Sequence, residues 1–123
     1  MRRKSYLYLC GVALGVAMLP SFLGAHAMLQ KSDPAQGSTL AATPPRLRLW
    51  FNEKVDLAVS VVQMTGPMGR IDLGKPQSPE PQALAVVVIG NMVDGPYKVT
   101  WQTAGVDGHV EKGAFTFVLK RAH

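Results

Sequence analysis

The sequence predicts an all-β domain, a seven-stranded Greek-key sandwich or barrel of the immunoglobulin-like kind. Three observations predict it. Apolar residues recur with period two in short runs, turn residues punctuate those runs, and no stretch carries a convincing amphipathic helical stripe.

The elements follow in chain order. A weak strand lies near residues 27–31, and "SDPAQGS" at 32–38 and "TPP" at 43–45 are turns. "RLRLWFNE" alternates Leu47, Leu49 and Phe51 against Arg46, Arg48 and Trp50, the pattern of a strand buried on one face. "LAVSVVQM" and "ALAVVVIG" are more continuously apolar and rich in valine, as expected of strands covered on both faces. Between them come "TGPMG" at 65–69, a second weak strand near 70–73, and the proline-rich "KPQSPEP" at 75–81. After the "DGP" turn, "YKVTWQT" sets Tyr97, Val99 and Trp101 on one face, and "GAFTFVLK" repeats the period through Phe115, Phe117 and Leu119.

The chain divides into a leader, residues 1–25, and one domain, residues 26–123. Arg2, Arg3 and Lys4 precede an apolar run from Tyr6 to about Leu19, and small residues close it at "FLGAHA", as in a secretory signal peptide. The run is short for a membrane anchor and ends at Pro20. Cys10, the one cysteine, falls in the leader, so the mature domain has neither disulfides nor thiolate ligands. Three of the 13 basic residues also fall there, which leaves ten basic against eight acidic side chains, a net +2. No basic face interleaved with aromatics is visible, so nucleic acid is not an expected partner. The remaining length suits one domain with one core.

The candidate site begins with "AGVDGHVEKG". In an extended segment Asp107 and His109 project from the same side; Asp107-Gly108 also reads as a hairpin turn, with His109 on the surface. Cleavage after Ala25 would make His26 the first residue, and its amine and imidazole could then chelate one metal ion. Cleavage after Ala27 fits the small-residue preference of signal peptidase better and would discard His26. With His26 retained, adding His109 and Asp107 makes three nitrogens and one oxygen, a donor set suited to Cu(II).

The segments "HAMLQKSDPAQGSTL", "LRLWFNEKV" and "GPYKVTWQTAGVDGHVEKGAFTFVL" together resemble the periplasmic copper-resistance and copper-carrier proteins of the CopC type, over essentially the whole mature chain. The resemblance implies a seven-stranded β-barrel or sandwich that binds Cu(II) at one end through His26, Asp107 and His109. It also sets Glu53 beside the metal, as a weak axial oxygen or a hydrogen-bonding neighbour of the ligands; the residue type alone reads as a solvated strand-end carboxylate. Some members carry a second, Cu(I) site on a loop dense in methionine. The corresponding "VVQMTGPMGRID" keeps only Met64 and Met68 and no histidine, so a Cu(II)-only member is expected. Met28 is expected to pack, as methionine does when it fills gaps. Trp50 and Trp101 are expected in the core or at its rim, and His123 in a frayed tail.

Three functional classes compete. A carrier would hold Cu(II) in the periplasm as a monomer and buffer it or pass it to a membrane copper transporter. An N-terminal histidine chelate also occurs in copper oxygenases, but the chain shows no aromatic patch for a polysaccharide substrate. A metal-free interaction domain is the third. The carrier, which is not an enzyme, is the expectation.

Overall fold

The protein is described here from a computed structural model, whose described residues are 27–122. The expected leader, His26 and His123 lie outside them. Among the described residues eight strands run in the order β1 (Leu29–Asp33), β2 (Thr39–Leu40), β3 (Arg46–Phe51), β4 (Val61–Gly66), β5 (Gly69–Ile71), β6 (Ala83–Val87), β7 (Gly95–Ala104) and β8 (Val110–Leu119). They form a three-stranded sheet, β1-β3-β6, and a five-stranded sheet, β2-β8-β7-β4-β5. The all-β sandwich is therefore the fold. The strand beyond the expected seven is β2, whose two residues pair in parallel with Val118 and Leu119 of β8. Two residues are too few to show a period.

The core lies between the sheets and is supplied by the positions that the period-two pattern selects. Leu47, Leu49 and Phe51 face it from β3, Tyr97, Val99 and Trp101 from β7, and Phe115, Phe117 and Leu119 from β8; all are buried. Phe51 meets Trp101 edge to face, with centroids 5.1 Å apart and planes at 76°, a favoured aromatic geometry that joins the sheets. Tyr97 stacks on Phe117 at 5.5 Å and donates its hydroxyl to the Val93 carbonyl at 2.6 Å. Burial raises the Tyr97 pKa above the ordinary phenol value.

The two valine-rich runs depart from expectation. Residues 57–59 wind into a 3-10 turn capped by Asp56, whose carboxylate accepts from the Ala58 N–H at 3.1 Å. The strand β4 then alternates, with Val62 and Met64 buried and Val61 exposed, so only one of its faces is covered. On β6, Ala83, Leu84 and Val86 are buried while Val87 is exposed. Its outer side is partly covered by the proline-rich segment, in which Gln77 bridges to Ala85.

One end of the sandwich gathers the chain segments that matter for the site. The strand β1 runs antiparallel to β3 with Leu29 opposite Phe51, which brings the start of the domain beside the end of β3. Asn52 fastens that junction: its N–H donates to the Met28 carbonyl at 3.0 Å, and its side-chain oxygen accepts from the Met28 N–H at 2.8 Å. At the same end Asp56 N–H donates to the carbonyl of Ala104, the last residue of β7, at 2.9 Å.

Candidate metal centre

Long β7 and β8 pair from Gly95↔Leu119 to Ala104↔Val110, leaving residues 105–109 as the hairpin loop. The loop is a turn and not the extended segment that would align Asp107 with His109. Gly108 takes φ +79°, a conformation open to glycine at little cost, and its N–H donates to the Gly105 carbonyl at 3.0 Å. Asp107 then accepts the His109 N–H through Oδ1 at 2.9 Å, the local turn that aspartate favours. Both residues remain on one tight, exposed loop. Their proximity comes from the turn rather than from strand alternation.

Glu53 reaches that loop from below. Its Oε1 accepts the Val106 N–H at 2.9 Å. The contact requires Gly105, because a Cβ there would fall on the Glu53 carboxylate. Glu53 is thus no solvated strand-end acid. Its Oε2 is sealed from solvent and has no hydrogen-bond partner among the described residues. A sealed carboxylate oxygen is costly unless a donor or cation meets it, so the chemistry of this spot favours a positive group.

His109 also has a neighbour that its sequence context did not single out. Its Nε2 lies 3.5 Å from Oε2 of Glu111, with the two side chains 58% and 30% exposed. The signal was the spacing itself, since the two residues stand two apart where the loop enters β8. Asn52, which fastens Met28, likewise carries no pattern that marks it within "FNEK".

Among the described residues, no group of three or more His, Cys, Asp or Glu side chains is close enough together to hold a metal ion. Asp107 and His109 share a loop and Glu53 is tied to it, while the fourth member of the expected set, His26, lies outside the described residues. The methionines separate. Met64 is fully buried opposite Ile71 and Val99, whereas Met68 is 81% exposed on the β4–β5 turn. They do not converge, because alternation turns Met64 inward and the turn carries Met68 outward. Met28, expected to pack, is 55% exposed; Ala27 takes the core position instead. Trp101 is in the core, and Trp50 faces outward under the Lys31 ammonium at 4.6 Å.

Among the described residues no helix is long and apolar enough to cross a membrane. The CopC domain family matches residues 29–120. Protein YobA of Escherichia coli (strain K12) is 30% identical over 120 residues, covering 95% of this chain and 96% of that protein. The copper transport protein CutJ of Bacillus subtilis (strain 168) is 27% identical over 112 residues, covering 89% of this chain and 21% of that longer protein. Among solved structures, PcoC, a methionine rich copper resistance protein from Escherichia coli, superposes with a TM-score of 0.71 at 25% identity, covering 78% of this chain and 100% of that one. With the family match spanning most of the chain and the sandwich shared with PcoC, this chain belongs to the CopC domain family, as a copper-binding protein of the copper-resistance type and not an enzyme.

Proposed function

We propose that the exported protein is a periplasmic Cu(II) carrier. It holds one ion at the end of the sandwich through the N-terminal amine and ring of His26, with Asp107 and His109, and Glu53 beside them. One relationship carries this reading: Asn52 fastens Met28 while the adjacent Glu53 fastens Val106. The start of the domain and the Asp107–His109 loop are therefore tied to neighbouring residues of one strand end. Two residues of chain span at most about 7 Å, so a mature N-terminus at His26 would begin no farther than that from the Met28–Asn52 tie. An N-terminal ammonium or a cation there would also answer the sealed Glu53 oxygen. Two imidazoles, an amine and a carboxylate suit Cu(II), and the dispersed methionines offer no soft thioether pair for Cu(I).

The carrier passes its ion, as a monomer, to a membrane copper transporter. Support for that step comes from CutJ, a copper transport protein in which the matching region is 21% of the length. The test is copper titration of mature protein beginning at His26, against the same protein with one residue added before it. One equivalent should bind to the first, and the extension should lower affinity by orders of magnitude because the amine and ring no longer close the chelate. Full-strength binding by the extended protein, or an exported protein whose intact mass places Met28 first, overturns the reading.

A further inference from the structure

We propose that the outer face of the three-stranded sheet is a docking groove for an acidic, extended segment of a partner protein. The face holds a trough of about 570 Å³, lined by Arg46, Arg48 and Trp50 on β3, by Ala83 and Ala85 on β6, and by Lys75. Register makes the trough. Arg48 stands opposite Ala85 and Trp50 opposite Ala83, so tall side chains on one strand face small ones on the next. The far wall is the segment 74–82, stiffened by Pro76, Pro79 and Pro81.

That wall is fastened at its start, middle and end, beginning with the Gly74 N–H, which donates to the Val87 carbonyl at 2.8 Å. Gln77 and Ala85 exchange backbone hydrogen bonds of 2.8 Å each way, and the carbonyls of Pro81 and Gln82 accept from Val55 and Phe51 at 2.9 and 2.8 Å. A groove held open in this way loses little freedom when it is filled, which favours affinity.

Its charge defines the occupant. Arg46, Arg48 and Lys75 are exposed, and none forms an ion pair with a described residue. Lys31 adds a fourth cation above the Trp50 ring. Two acids border the trough: Glu80 in the wall and Asp33, opposite Arg48 on β1. The excess is positive in a mature domain that is otherwise nearly balanced.

Arg46 and Arg48 are two residues apart on one strand, a repeat of about 6.6 Å. An extended chain laid along β3 presents its own alternate residues with the same repeat, so carboxylates at i and i+2 meet the two guanidiniums. Small apolar residues of the segment then rest over Ala85, the half-buried floor residue opposite Arg48. A flat bilayer cannot reach this floor, because the apolar surface is recessed between raised walls. No residue of the proposed copper site lines the groove, so the two readings stand or fall separately.

The test uses the exported protein without copper and a labelled, end-capped ten-residue peptide of alternating Asp and Val. A matching Lys and Val peptide, glutarate and phosphatidylglycerol vesicles serve as comparisons. Anisotropy should show the acidic peptide binding at least about tenfold more tightly than the basic one, and added salt should weaken it. Amide shifts should cluster at residues 46–50 and 75–87. The double variant Arg46→Glu, Arg48→Glu should lose about tenfold or more. Ala85→Leu, which fills the floor without altering charge, should also weaken binding at an unchanged melting temperature. No preference for the acidic peptide, or shifts on another face, overturns the proposal. So does glutarate binding as tightly as the peptide, or vesicle binding that depends on the two arginines.

Discussion

The Glu53 carboxylate accepts the amide N–H of Val106 at 2.9 Å, which makes the end of β3 and the β7–β8 loop one mechanical unit. The approach is possible because residue 105 has no side chain, and a Cβ there meets Glu53 Cδ at 2.8 Å. Gly105→Ala should therefore push the carboxylate away. We expect a loss of about 1–3 kcal/mol in stability, typical of overpacking, and weaker copper binding with it. Thermal melts and copper titration of the variant check both, and an unchanged protein would mean that Glu53 is free to swing aside.

Ligand substitutions should separate binding from folding. His109→Ala should weaken Cu(II) by about 10–100-fold or more, with little change in the melting temperature of the copper-free protein, because the residue is exposed on a loop. Asp107→Asn keeps an oxygen that can accept the His109 N–H, so the turn should persist while the anionic donor is lost. Its copper affinity should fall with an unchanged amide spectrum for the loop. Glu53→Gln should act more mildly than either. Copper affinity unchanged from the wild type in both the Asp107 and His109 variants would exclude this loop as the site.

The two methionines of the β4–β5 hairpin should behave oppositely in stability. Met64→Ala opens a cavity in a fully buried position and should cost about 2–5 kcal/mol in denaturant unfolding. Met68→Ala, on an exposed turn, should change stability by less than about 0.5 kcal/mol. A Cu(I) affinity that drops in both variants would contradict the separation seen here.

Tyr97 predicts an alkaline limit. Burial raises its folded-state pKa, so the unfolded phenol releases its proton first. The stabilisation from a neutral buried phenol is complete below the unfolded value near 10 and is lost as pH climbs through the higher folded value. Melting temperature should fall more between about pH 9 and 11 in the wild type than in Tyr97→Phe. At neutral pH the variant should be the less stable one by about 1 kcal/mol, since the Val93 carbonyl loses its donor. Parallel pH profiles would refute this assignment.

Sequence by itself determined the inward faces of β3, β7 and β8, because strand alternation is local: Leu47, Leu49, Phe51, Tyr97, Val99, Trp101, Phe115, Phe117 and Leu119 are readable from neighbours two residues away and are buried as read. It also set out Asp107 and His109 as chemistry, and Glu53 only through the family resemblance. Whether those residues meet was a tertiary matter. Glu53 and Val106 are 53 positions apart, and their hydrogen bond follows from β3 and β7 ending at the same end of two packed sheets. The turn at Gly108 was legible from the Asp-Gly pair itself, whereas the two-residue β2 and the proline-walled groove over β6 were invisible to periodicity. Each of those two depends on a partner supplied from elsewhere in the chain, which leaves no repeating trace in the order of the residues.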